Sequence, residues 1–279
     1  MPIRFATSCA AYYVNLRVNL KMDLPTKRET VLGLYDRLRR QRPGLSQFRR
    51  YQNELALESD AAEADAVGSA AWQEWVAVRR TSVRAGSVCP REWDAAYALH
   101  SAVIESAPYY LDISALDIES IEVLLGFDLA ASGNHDAIIC NALMAGTPMA
   151  LLAGAAARPG RPGREGPHMA FRPVDCQPIF GVALNDANDL QAHIEVKTRS
   201  SRRGHSAAAS GGSELPSRGR EEPISLYLIV RRFGPFADVA ALPTILTEIR
   251  TAAHDLLDSY VEPKLLTPIR DEIIAGGWT

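Results

Sequence analysis

A chain of 279 residues, 47% of them hydrophobic and 23% charged, holds enough apolar side chain to offset the ordering entropy of a compact core, so global disorder is excluded. A net charge of -3 gives no electrostatic footprint for nucleic acid, and no nucleic-acid partner is expected. No run approaches the ~18 consecutive apolar residues of a membrane-spanning helix, so no membrane association is expected either.

The four cysteines, Cys9, Cys89, Cys140 and Cys176, lie far apart with no CxxC spacing. That pattern argues against a zinc ribbon, a redox motif or a disulfide framework, and fits free thiols in a reducing cytosol. Only eight residues precede Cys9 and they contain no apolar stretch, which speaks against a lipoprotein leader and for a cytoplasmic protein. Arginine outnumbers lysine 26 to 4 beside abundant alanine, the usage of a GC-rich bacterial genome. Charge is uneven along the chain. Residues 1–100 carry 15 basic and 11 acidic side chains, 101–198 carry 5 and 12, and the remainder 10 and 10, which we read as solvated surface charge.

Taken in order, Tyr12, Val14, Leu16, Val18 and Leu20 alternate with Asn15, Arg17 and Asn19, the pattern of a half-buried strand. Thr26 and Glu29 form a capping-box pair ahead of Val31, Leu34, Tyr35 and Leu38, which share one helical face. Arginines load the end of this helix and Pro43-Gly44 stops it, so a helix is predicted over about 27–42. Strands are predicted at 47–58 and 72–84, separated by an acidic, alanine-rich turn around 60–68. Pro90 sits at a first helical position before the stripe Trp93, Ala96, Tyr97, His100 and Ile104. Residues 121–129 alternate again. The first half thus reads β-α-β-β-α-β, an α+β, ferredoxin-like order with an antiparallel or mixed sheet and both helices on one face.

A short helix is predicted from Asn134 to Met144. Residues 154–167, rich in proline and glycine, are predicted as a loop. Strands follow near 176–185, 190–199 and 223–232. Between the last two, residues 200–222 lack apolar content and are read as a flexible hairpin insertion. The C-terminal stripe Leu242, Ile245, Leu246, Ile249, Ala253, Leu256, Leu257 and Tyr260 predicts a helix that Pro263 breaks, with a shorter helix through Ile269, Ile273 and Ile274 beyond it. The organisation is therefore an α+β half over 1–150 and a second over 151–279, three strands followed by helices, either separate or packed with the first as one domain. Strands then helix in both halves raise the question of a duplication.

Gly133-Asn134-His135-Asp136 resembles one ligand segment of the calcineurin-like metallophosphatases, in which Asn and His help to hold two metals. Such a centre needs several ligand segments. No Asp-x-His or Gly-Asp-x-x-Asp precedes it, and Gly204-His205-Ser206-Ala207 is not the closing Gly-His-x-His. The string is therefore read as a turn at Gly133, a helix cap at Asn134 and a dipole-complementing Asp136. His100, on an apolar helix face, is read as a packed residue. His193 and Glu195, two apart on the polar face of a strand, are neighbours that could act as a base and its orienter. No P-loop, G-x-S-x-G elbow, Rossmann fingerprint or HExxH is present.

In each of Arg49-Arg50, Arg79-Arg80 and Arg231-Arg232 strand geometry lets one arginine join a common surface, where a row of them would recognise carboxylate or phosphate. The expectation for function is a non-enzymatic binding or assembly protein that uses a polar sheet face or an edge strand to meet a protein partner or a second copy. No cofactor and no metal are expected. The alternative is an enzyme with a site between the halves involving Asp128, His135, His193 and Glu195. RNA binding is disfavoured by the acidic balance and the lack of an aromatic RNP-like strand.

Overall fold

A computed structural model describes residues 9–24, 28–60, 72–149, 173–198 and 223–276. The predicted loop at 154–167 and insertion at 200–222 lie outside them, as do Thr26 of the capping box and the turn beyond Asp60. The strands are β1 (Ala11–Leu20), β2 (Leu45–Tyr51), β3 (Glu54–Ser59), β4 (Gln73–Arg79), β5 (Ser82–Val88), β6 (Ile118–Leu129), β7 (Ile179–Ala183), β8 (Leu190–Lys197) and β9 (Ile224–Phe233). The helices are α1 (Arg28–Gln41), α2 (Trp93–Leu111), α3 (His135–Met144), α4 (Leu242–Leu256) and α5 (Thr267–Ala275), with a π-helical stretch, Leu257–Leu266, joining the last two.

All nine strands form one antiparallel sheet in the order β2-β3-β4-β5-β1-β6-β9-β8-β7. The fold is α+β, but the ferredoxin-like order is replaced by a longer meander. Each strand predicted between α1 and α2 is in fact a hairpin, reversing at Gln52-Asn53 and at Arg80-Thr81. The same connectivity runs twice. From the centre outward, β1, β5, β4 and β3 on one side match β6, β9, β8 and β7 on the other, with β2 as an extra edge. Each unit is a strand, a helix, a meander that returns to pair with the first strand, and a closing helix.

The alternation that predicted β1 places Tyr12, Val14, Leu16, Val18 and Leu20 in the core. They meet Val83 and Ala85 on one side and Ile121, Val123, Leu125 and Phe127 on the other. Val31, Leu34, Tyr35 and Leu38 of α1, Leu99 and Val103 of α2, Ile138 of α3, Leu246 and Ile249 of α4 and Ile269 of α5 join the same cluster, so every helix packs on one face of the sheet. Among the described residues no helix packs on the other face.

Two proline expectations need correction. Pro90 does not open α2: the helix begins at Trp93 after an extended Glu92, and the Pro90 carbonyl accepts a hydrogen bond from Tyr12. Pro263 does not break the C-terminal helix. It falls where the hydrogen bonding widens, as in Thr267 N–H to the Glu262 carbonyl, a turn with room for a ring that an ordinary α-turn would reject. The wider turns also rotate the apolar stripe, so Tyr260, predicted to be core, is 60% exposed.

Candidate functional site

The uncovered sheet face is built by the alternate residues that the core does not use. Across six adjacent strands these place Glu54 (β3), Arg79 (β4), Arg84 (β5), Arg17 (β1), Glu122 (β6) and Arg231 (β9) in a row. Glu54 lies opposite Arg79, Arg84 opposite Arg17, Arg17 opposite Glu122 and Glu122 opposite Arg231. Each carboxylate is shared by two arginines. Glu54 Oε2 pairs with Arg79 Nε and lies 3.5 Å from Arg84 Nη1. Glu122 Oε2 takes Arg231 at 2.6 Å and 2.7 Å, while its Oε1 lies 3.6 Å from Arg17.

The row therefore holds four cations and two anions, and its middle is a directly opposed Arg17–Arg84 pair. Like charges opposite each other on a sheet destabilise it. Burial pushes Arg84 down to about 10, and repulsion by Arg79 and Arg17 adds to the shift against the attraction of Glu54. Arg17, with a side chain 45% exposed, is the open end of this pair. Beside it Trp75 lies across Gly86, where a Cβ would stand 2.7 Å from the indole and 2.1 Å from Asn15 Oδ1. The Arg84 guanidinium stacks 5.2 Å from the Trp75 ring, and Asn15 Oδ1 is buried without a hydrogen-bond partner.

Farther along the face, the rings of Tyr13 and Tyr227 flank Gly126. Asp128 accepts from Tyr13 Oη and, at 2.6 Å, from Ser225 Oγ. Burial pushes the Asp128 carboxyl upward against those two hydrogen bonds, and burial followed by the Asp128 charge pushes the Tyr13 phenol upward. Lys197 Nζ sits 3.1 Å from Glu195 Oε2 and 5.3 Å from the centre of the Tyr227 ring.

The four residues of the enzyme alternative do not converge. Asp128, His193 and Glu195 share the uncovered face, but β9 separates β6 from β8. Strand spacing and rise put Asp128 on the order of 10 Å from Glu195 and on the order of 15 Å from His193. His193 lies over Gly181, where a Cβ would stand 3.0 Å from its Nδ1, and it makes no hydrogen bond among the described residues. His135 heads α3, with Nδ1 3.2 Å from the Thr198 carbonyl and Nε2 3.0 Å from that of Ala131. Both ring nitrogens thus face backbone carbonyls, and the one that carries the proton donates.

Asn134 is an N-cap whose Oδ1 accepts from Ala137 N–H at 3.2 Å, after Gly133 at φ 80°. Asp136 does more than face the helix dipole. It is buried and accepts from Cys176 N–H at 2.9 Å and Thr198 Oγ at 2.6 Å, tying α3 to the segment before β7 and to the end of β8. Among the described residues no group of three His, Cys, Asp or Glu side chains could hold a metal ion, and no helix is long and apolar enough to cross a membrane.

The sequence also hid a polar cluster between α2 and α4. Arg250 stacks 4.6 Å from the Tyr97 ring and donates to the Tyr97 carbonyl at 2.8 Å and to Ser101 Oγ at 3.2 Å. Tyr97 Oη lies 2.7 Å from His254 Nε2, and Trp93 packs edge-on against His254. Contacts between residues about 150 apart in the chain leave no local trace; the available signal was the polar residues in two apolar stripes, His100 in one and Arg250 in the other. No protein-family model, curated protein or solved structure matches this chain.

Proposed function

We propose that the chain is a non-enzymatic binding protein whose uncovered sheet face receives a carboxylate or phosphate group between Arg17 and Arg84. The carrying observation is the directly opposed arginine pair at the centre of a row with two surplus positive charges. An oxyanion seated there replaces repulsion with two charge-assisted hydrogen bonds, the geometry for which arginine is suited. Glu54 and Glu122 lie closest to the outer arginines, Arg79 and Arg231, and reach Arg84 and Arg17 only at 3.5 Å and 3.6 Å, so the central pair is the less fully neutralised part of the row. The bland reading is an ion-pair ladder with no ligand, and the two readings differ in what added oxyanion does.

Thermal unfolding in phosphate or citrate, compared with chloride at equal ionic strength, separates them. A ligand at a hundred times its dissociation constant stabilises by about 2.7 kcal/mol. The expected result is an oxyanion-specific rise in midpoint for the wild type that Arg17→Gln abolishes. Equal midpoints in all salts, or a rise that survives in Arg17→Gln, overturns the proposal.

A further inference from the structure

We infer that two copies of this chain pair edge to edge through β7, an interaction independent of the anion site. Among the described residues β7 has a neighbour on one side only, β8. Its sequence, Ile-Phe-Gly-Val-Ala, carries no charge, and Ile179 and Phe180 are 67% and 63% exposed. Edge strands are ordinarily blunted by charge, proline or a bulge, because their free N–H and C=O groups template pairing with another chain. The opposite edge is blunted in this way: β2 carries Arg49 and Arg50 and a register shift between Leu45 and Gln47. β7 has no such device.

The phase of the ladder makes β7 complementary to itself. Leu184 N–H bonds the Leu190 carbonyl, and Val196 N–H bonds that of Pro178, so even-numbered residues of this segment exchange bonds with β8. The N–H and C=O groups of Ile179, Gly181 and Ala183 then face outward. A two-fold axis through Gly181 sets Gly181 against its copy and Ile179 against Ala183 of the second chain, outward groups opposite outward groups, as an antiparallel ladder requires.

The same register serves the side chains. Phe180 points to the helix side, where it rims an apolar cavity of about 290 Å³ with Leu143, Ile194, Val196 and Tyr260. Pairing places Val182 of the second copy against Phe180 at a closely spaced position and carries the apolar layer across the axis. Ile179, Phe180 and Tyr260 at their present exposure offer on the order of 400 Å² per chain. With the strand backbones this reaches the low end of specific interfaces, so the dimer is reversible and depends on concentration. Assembly stops at two, because pairing through β7 leaves only the β2 edges of the sheet, which carry Arg49, Arg50 and the register shift.

Sedimentation velocity on the full chain across the micromolar range tests this, with hydrogen exchange read at both ends of the range. A shift from monomer to dimer is expected, lost in the double variant Ile179→Lys, Phe180→Lys, whose unfolding midpoint should match the wild type at concentrations where both are monomeric, since both side chains are largely exposed. The amides of Ile179, Gly181 and Ala183 should become protected only at dimer-forming concentrations, while those of Phe180 and Val182 are protected throughout. Should the variant fail to fold, the wild-type amides decide. A chain that stays monomeric, a dimer that persists in the folded variant, or outward amides that stay unprotected in the dimer overturns the inference.

Discussion

His100 lies in α2 with no exposed surface, its Nε2 3.3 Å from the Val14 carbonyl and its Nδ1 without a partner. Burial pushes its pKa down to about 3, and the positive charges of Arg250 and Arg42 add to the shift against the Val14 hydrogen bond. An unfolded histidine titrates near 6.5. Between those values the unfolded chain binds a proton that the folded chain refuses, so this contribution is intact above about 6.5 and is lost as pH falls toward 3. Each unit below 6.5 costs about 1.4 kcal/mol, hence on the order of 2 kcal/mol at pH 5. Burial pushes Glu58, Glu74 and Asp128 upward, which favours the fold on acidification, so the raw pH curve mixes opposing effects. Comparison with His100→Gln, which has a similar reach to the Val14 carbonyl and does not titrate, isolates the histidine. Urea unfolding at pH 7 and pH 5 should show the wild type losing about 2 kcal/mol more than the variant over that interval. Losses equal to within about 0.5 kcal/mol would refute a buried, neutral His100.

Leu34 and Phe127 are fully buried on the covered face, so Leu34→Ala should cost ~2–5 and Phe127→Ala ~3–5 kcal/mol in urea unfolding; less than about 1 kcal/mol would contradict that placement. Asn134→Ala removes the cap and the bond to the Pro173 carbonyl and should cost about 1 kcal/mol, with no change in divalent-metal binding measured by calorimetry. Gly86→Ala drives a Cβ to 2.1 Å from Asn15 Oδ1 and 2.7 Å from Trp75, so a cost of ~1–3 kcal/mol is expected, with a change in tryptophan fluorescence as the ring lifts.

Much of the fold was legible because strands and helices advertise their buried face by period. β1, α1, β6 and β9 fall within a few residues of where alternation or the i, i+3, i+4 stripe put them. The two inner hairpins were not legible. Gln52-Asn53 and Arg80-Thr81 carry no glycine or proline, and both flanking arms are strand-like, so each hairpin reads as one long strand. Pro263 failed as a stop signal for a related reason: a proline costs an α-helix one hydrogen bond and a steric clash, but a continuous helix that widens its hydrogen bonding there avoids both.

The face is a harder case, because a strand declares which residues share a side but not which strands stand next to each other. Strand geometry alone says that one arginine of each pair can join a common surface; the register of the sheet makes these Arg49, Arg79 and Arg231. The ion pairs follow that division: Arg79 and Arg231 reach Glu54 and Glu122, while Arg80 turns to Asp23 and Arg232 to Asp189 and Glu248. What could not be read is that Arg17 and Arg84, 67 residues apart, face each other across β1 and β5. Their opposition arises only when α1 and the meander bring β5 back to β1. Cross-strand repulsion at the centre of a sheet would be relieved by changing either arginine to a neutral residue, at no cost to the core behind them. That a like-charged pair stands directly opposed on the central strands of the uncovered face, while charges toward β2 and β8 are matched one to one as in Arg49 with Glu58 and Lys197 with Glu195, is the physical reason to look for an anion there and not elsewhere on the sheet.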